Sequence, residues 1–208
     1  MKNLQETIQH LNQILPKLSE IKKRLSKILY IGLTKGYPVS LALIVEQLDI
    51  PEEQVRKLLD ELDYVERSQI DEVIAYRGVT LSPTKHTLIT ADSTVYTWCA
   101  FDTLFLLDLI DQPAHIHSTC AACNKKLMLK PSKLDGSMFE NSSVVMSFLV
   151  PEPSAYQESL HVSFCCKVHF FCNANCGQKW SSQQSDVELF SVEDSQTIAQ
   201  ERNLFMLE

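Results

Sequence analysis

All seven cysteines of this 208-residue chain stand between residues 99 and 176, and four of them form two close pairs, Cys120-Ala-Ala-Cys123 and Cys172-Asn-Ala-Asn-Cys176. The second half must therefore gather thiols from distant segments, or bury them singly as small apolar side chains. An odd number clustered in this way points to metal or thiol chemistry rather than to a disulfide framework. The opening segment MKNLQETIQHLNQ has no apolar run of a secretory signal. The expected setting is a reducing cytoplasm, where structural disulfides are disfavoured.

A mass of 23.7 kDa with 45 % hydrophobic residues suits one large soluble domain or two small ones. The longest apolar stretch, Trp98 to Ile110, is interrupted by Asp102 and Asp108 and is too short to span a bilayer, so no membrane association is expected. The formal charge of −7, from 19 basic against 26 acidic side chains, argues against a polyanion as partner.

The first eighty residues carry helical periodicity. Leu4, Ile8, Leu11, Ile14 and Leu15 recur at three and four, Pro16 interrupts, and Leu18, Ile21, Leu25, Ile28 and Leu29 resume the stripe until Gly32 and Gly36. In PVSLALIVEQLDI, Ser40 is placed to cap a short helix, and Pro51 then opens PEEQVRKLLDEL with acidic residues in its first turn, where the helix dipole favours them. The following YVERSQIDEVIAYRGVTLSPT alternates and reads as a small hairpin or wing. Residues 1–83 are accordingly expected to form a winged-helix-like helical domain. Its second helix, from Glu52 to Asp63, sets Arg56 and Lys57 against five acidic residues, which phosphates would repel, so a scaffold role without nucleic acid is expected.

Residues 84–208 are expected to form a small mixed α+β domain, giving an α+β chain overall. HTLIT, STVYTW, AHIHST, KLMLKP, SSVVMSFLV and LHVSFCCKVHFF read as strands, with helices from about Cys99 to Asp111 and from Val192 to Leu207.

Three groups of residues could carry chemistry. A helix starting near Cys99 would put that thiol at the positive end of the dipole, lowering its pKa, with Asp102 one turn on the same face. A soft nucleophile beside a carboxyl group is suited to proton transfer, although a buried cysteine and a capping aspartate would look the same in sequence. As a strand, residues 163–171 would send Cys165 and Cys166 to opposite faces, so at most one of them enters a site. His169 there is a ligand, a base or a satisfied structural histidine. The spacing of Cys120, Cys123, Cys172 and Cys176 suits a four-thiolate zinc site, against four unrelated buried cysteines.

The strings YTWCAFDTL and SFCCKVHFF, in that order, after the PVSLALIVEQLDIPEEQV module and before the helix SVEDSQTIAQERN, closely resemble the organomercurial lyases, also called alkylmercury lyases. The resemblance runs over most of the chain. It implies a winged-helix-like domain packed on an α+β catalytic domain, and protonolysis of a carbon–mercury bond to a hydrocarbon and Hg(II). It makes Cys99 and Cys165 the mercury-binding thiols and Asp102 both the acid that helps to deliver the proton and a third ligand to the product Hg(II), while Cys166, His169 and Trp98 match neighbours of the site. No organic cofactor is implied, and low-molecular-weight thiols or a mercuric reductase would accept the Hg(II). Soft Hg(II) prefers thiolate, which agrees with such a pair. Cys123, Cys172 and Cys176 depart from the family pattern and complete the expected structural zinc site. The alternative from another class is a non-catalytic soft-metal-binding or zinc-binding regulatory protein.

Overall fold

The computed structural model describes residues 4–14, 17–110, 112–131, 139–140, 143–149, 164–184 and 187–207. Leu15, Pro16, Asp111 and the 160–163 portion of the expected last strand lie outside them. The apolar stripes form helices α1 (Leu4–Ile14) and α2 (Glu20–Thr34), with Leu25, Leu29 and Leu33 fully buried. Ser40 caps α3 (Leu41–Leu48) by accepting a hydrogen bond from the Leu43 N–H at 3.3 Å, and Pro51 precedes α4 (Glu52–Asp60). The second helix of the pair thus ends at Asp60, short of the expected Asp63.

The chain is mixed α+β, with seven α-helices among the described residues and antiparallel sheets. Strands β1 (Val65–Arg67), β2 (Val73–Tyr76), β3 (Val79–Thr80), β4 (His86–Ile89), β5 (Thr94–Thr97), β6 (His115–Thr119) and β7 (Lys126–Leu129) make one sheet in the order β1-β2-β3-β5-β4-β6-β7. The sheet continues across residue 83, because the two-residue β3 pairs with β5 through Val79–Thr97 and Thr80–Tyr96. Its hydrogen-bonded ladder joins the N-terminal hairpin to the strands that follow.

Helix α5 (Ala100–Leu107) lies against β4 and β5 and is buried along nearly its whole length. A three-stranded sheet, β10 (Glu188–Ser191), β8 (Val145–Phe148), β9 (Phe170–Phe171), carries helix α6 (Ala174–Ser181). Helix α7 (Val192–Leu207) has the expected bounds and packs against α5, α1 and α2. Its amides complete α5: Gln196 donates to the Leu104 carbonyl at 3.4 Å and Asn203 to that of Phe105 at 2.9 Å. Carbonyls in the last turn of a buried helix need such partners.

The expected strand through residues 163–171 is corrected. Cys165–Lys167 form a 3-10 turn, and only Phe170–Phe171 extend as β9. Phe164, Cys165 and Val168 are buried and Cys166 is exposed, a spacing that a strand of period two cannot satisfy and a tight turn can.

Candidate active site

Cys99 is the N-cap of α5, with extended backbone, and is separated from the end of β5 by Trp98 alone. The Asp102 side chain folds back to accept from the Cys99 N–H at 2.9 Å, closing a capping box. The capping role weighed from sequence is therefore filled by the same carboxyl that faces the thiol. At the other end of the site, Phe164 packs edge-on against Phe101 of α5 (6.0 Å between centroids) and Phe148 of β8 (5.3 Å). Such pairs contribute about 0.5–1.5 kcal/mol each beyond area burial. The Val168 carbonyl accepts the Ala100 N–H at 3.4 Å, filling one orphan donor at the start of α5.

These ties bring the Cys165 turn onto the N-terminus of α5. The ligand atoms of Cys99, Asp102 and Cys165 all lie within 4.8 Å of one another. Both sulfurs are buried, and Asp102 is 9 % exposed. Cys166 points to solvent, so one member of the adjacent pair enters the site, by virtue of the turn rather than strand alternation.

Charge at the site is set by burial. The expected depression of the Cys99 pKa is corrected: desolvation, with the Cys165 hydrogen bond and the Asp102 charge adding to it, holds this thiol well above its ordinary value. Desolvation disfavours a buried thiolate more than the helix terminus favours it. Cys165 accepts a lowering hydrogen bond from Cys99, but burial and the Asp102 charge carry its pKa upward on balance. Burial raises the Asp102 carboxyl to about 7, against opposing hydrogen bonds from Cys99. The resting site near neutral pH therefore holds two thiols beside a carboxyl poised between its two protonation states.

An apolar pocket lined by Tyr30, Phe101, Phe105, Phe164 and Met206, with Arg77 and Arg202, opens on Asp102. Gly78 is a positioning residue that sequence reasoning missed. Its φ is +102°, and a Cβ there would meet the Asp102 carboxyl. Its one sequence signal was a glycine in the turn of the hairpin. His169 stands outside the group formed by Cys99, Asp102 and Cys165: burial lowers its pKa to about 4, its backbone N–H donates to Ser147 Oγ at 2.9 Å, and its ring stands edge-on to Trp180.

A second thiol cluster is assembled from Cys120, Cys123, Cys172 and Cys176, again with all ligand atoms within 4.8 Å. Cys120 and Cys123 frame the β6–β7 turn, closed by Cys120 N–H to Lys125 O (2.8 Å) and Asn124 N–H to Cys120 O (2.9 Å). Burial of Cys120 is outweighed by N–H groups of Cys172, Ala122 and Cys123, leaving its thiol at about 7. Cys172 follows β9, and Asn173 caps α6 by accepting from the Cys176 N–H at 2.9 Å. Sulfur separations are 3.5 Å for Cys172–Cys176 and 3.8 Å for Cys123–Cys172. Four thiolates about 2.3 Å from a tetrahedral zinc stand about 3.8 Å apart, so this donor set fits that ion.

The alkylmercury lyase family model matches residues 79–205, which include both thiol clusters and Asp102. Among curated proteins, the chain is 32 % identical over 198 residues to an alkylmercury lyase of Staphylococcus epidermidis, covering 94 % of this chain and 89 % of that protein. An alkylmercury lyase of Streptomyces lividans is 30 % identical, covering 78 % of this chain and 74 % of its own. Among solved structures, the mercury-bound form of MerB2 superposes with a TM-score of 0.75 at 20 % identity, covering 97 % of this chain and 98 % of its own, which establishes a shared fold.

Proposed function

This chain belongs to the alkylmercury lyase family, and from that premise we propose that Cys99, Cys165 and Asp102 perform its reaction, the protonolysis of a carbon–mercury bond. The enzymatic reading is favoured over the non-catalytic soft-metal protein, which has no use for a carboxyl group among its thiols. The observation that carries the assignment is the convergence of two buried sulfurs and one carboxyl, within 4.8 Å, from segments sixty-odd residues apart in sequence.

An organomercurial cation R–Hg⁺ enters by the apolar pocket. Soft Hg(II) bonds one sulfur, whose proton leaves to solvent. The second sulfur then bonds mercury as its proton passes to the Asp102 carboxylate, whose pKa of about 7 suits both acceptance and donation. Two sulfur donors weaken the carbon–mercury bond, Asp102 gives its proton to carbon, and the bonding pair stays with carbon to make R–H. Hg(II) is left on Cys99 and Cys165. In sum, R–Hg⁺ and two thiols give R–H, a mercury dithiolate and one proton, with no organic cofactor.

Low-molecular-weight thiols or a mercuric reductase then take the Hg(II), and a reducing cytoplasm suits a chain whose seven cysteines are all thiols. We read the four-cysteine cluster as holding a structural zinc, which would supply a cross-link and no reactive group. Residues 1–83 are read as a winged-helix-like scaffold, supported by the order α3, α4 and the β1–β2 hairpin, and residues 84–208 as the catalytic part. Glu52 and Asp71 engage Arg56, and Asp60 and Asp71 engage Arg67, so α4 and its wing offer phosphates little positive charge.

Intact mass spectrometry after one turnover of phenylmercuric ion without added thiol tests the assignment. It should find the chain carrying Hg(II) without the phenyl group. Retention of phenylmercury would make the site a trap.

A further inference from the structure

The segment from Cys165 to Cys172 has a thiol cluster at each end. Cys165 faces Cys99 and Asp102, while Cys172, seven residues on, faces Cys120, Cys123 and Cys176. Between them β9 is two residues long and, among the described residues, is the edge of its sheet, pairing with β8 through Val145–Phe171 and Met146–Phe170. A ladder so short holds a chain weakly by itself. Ser147 of β8 adds local ties, its N–H donating to the His169 carbonyl at 2.9 Å and its hydroxyl to the Lys167 carbonyl at 2.8 Å, and two further ties reach the clusters: the Phe170 carbonyl accepts the N–H of Ala121, between the two cysteines of the β6–β7 turn, at 3.1 Å, and the Val168 carbonyl accepts that of Ala100, beside Cys99, at 3.4 Å.

We propose that the four-cysteine cluster, loaded with zinc, is a clamp that holds the Cys165 turn in register with Cys99, and that Hg(II) in excess of what the active site holds exchanges into the cluster and opens that clamp. The clamp rests on the zinc reading given above and adds a regulatory consequence to it. In the exchange Hg(II) enters and Zn(II) leaves with no electron moved: two sulfurs stay bonded to Hg(II), and the two released thiolates each take a proton from solvent. Hg(II) favours two collinear thiolates over a tetrahedral four, so exchange frees part of the cluster from the cross-link. Hg(II) that accumulates faster than thiols remove it thereby slows turnover even after the active site has been drained.

The test begins with the metal content of the purified chain, expected at about one zinc. HgCl₂ is then added stepwise without small thiols, following released zinc with a colorimetric chelator and amide hydrogen exchange of residues 168–171. The first equivalent should fill Cys99 and Cys165 without zinc release. The second should release zinc and speed exchange at 168–171. Cys123→Ser should lose zinc, and its Hg(II) affinity and turnover should fall roughly ten- to hundred-fold, as when a ligand loses its outer support. Mercury NMR should then show the two-sulfur environment of the site altered. Cys123→His, which preserves a Cys₃His ligand set, should restore zinc and turnover, separating loss of the clamp from loss of folding.

A chain purified without zinc, with Cys123→Ser silent, would overturn the zinc reading and the clamp together. Zinc at one per chain with an unaltered mercury signal and unaltered exchange at 168–171 in Cys123→Ser would overturn the clamp alone. Zinc release by the first equivalent would contradict the proposed order. Turnover of phenylmercuric ion by the zinc-replete protein, read in the same samples, keeps these outcomes apart from a failure of the lyase assignment.

Discussion

The Asp102 carboxyl occupies the space that a side chain at position 78 would need: a Cβ on Gly78 would stand 2.4 Å from its Cγ and Oδ1. The backbone there, at φ +102°, is one that only glycine adopts without strain. The β2–β3 turn thus fixes the carboxyl from below while the Cys99 N–H fixes it from the side. Gly78→Ala should cost stability of about 1–3 kcal/mol through strain. It should also lower kcat by roughly a hundred-fold through displacement of Asp102. Thermal unfolding and turnover measured on the same preparation check both, and wild-type values for the two would remove Gly78 from the site.

Asp102→Asn preserves the shape of the carboxyl and removes its proton exchange. Mercury should still bind at one Hg(II) per chain, since both sulfurs remain, while turnover falls by about 10²–10⁴. Equilibrium binding of Hg(II) and steady-state rates separate the two effects, and a variant turning over at the wild-type rate would refute the proton role.

The pKa of about 7 for Asp102 makes two pH dependences. Because the free enzyme needs the carboxylate to receive a thiol proton, kcat/KM should rise with pH around a midpoint near 7, and a flat profile through that range would contradict the shuttle. For stability the sign follows from the raised value. Between the ordinary 3.8 and about 7 the folded protein holds a proton that the unfolded chain has released, so this group makes the fold less stable as pH rises through that window. Buried His86 and His169, lowered to about 3 and about 4, act oppositely, weakening the fold as pH falls below 6.5. Urea unfolding of wild type against Asp102→Asn isolates the carboxyl. The variant's advantage should widen from about pH 4 to about pH 7 and then level off.

Cys165→Ser should abolish turnover, and Cys166→Ser should leave it intact, because the turn buries the first sulfur and exposes the second. Rates of the two single variants, compared with wild type under excess thiol, decide this. Equal losses would mean that both sulfurs serve the reaction.

Local signals were readable in sequence where the cause is local. Ser40 caps α3 because its side chain reaches the Leu43 N–H, and α7 keeps its expected bounds at Val192 and Leu207. The spacing of the second thiol cluster was equally legible, because two short pairs each lie on one turn. What depends on tertiary contact was hidden. The β3–β5 pairing across residue 83 joins a strand of two residues to a later hairpin and leaves no periodic trace. The Cys165 turn imitates a strand because its apolar residues are nearly alternate, whereas their burial answers to Phe101 and Phe148. The Cys99 pKa shows the same limit: the helix terminus is a sequence feature, but the desolvation that outweighs it comes from the whole packed site. The roles of Cys99, Cys165 and Asp102 came from the family resemblance, and their proximity is what the fold adds.

The central claim is that this site replaces a carbon–mercury bond with a carbon–hydrogen bond, using Cys99, Cys165 and a proton carried by Asp102. The most direct measurement is gas chromatography with mass detection of benzene released from phenylmercuric acetate in D₂O with excess thiol, by wild type and by Cys99→Ala and Cys165→Ala. The account predicts benzene bearing a single deuterium from the wild type and none above the thiol-only background from either variant. Benzene formed at the wild-type rate by either variant, or a coupled biphenyl product in its place, would contradict it.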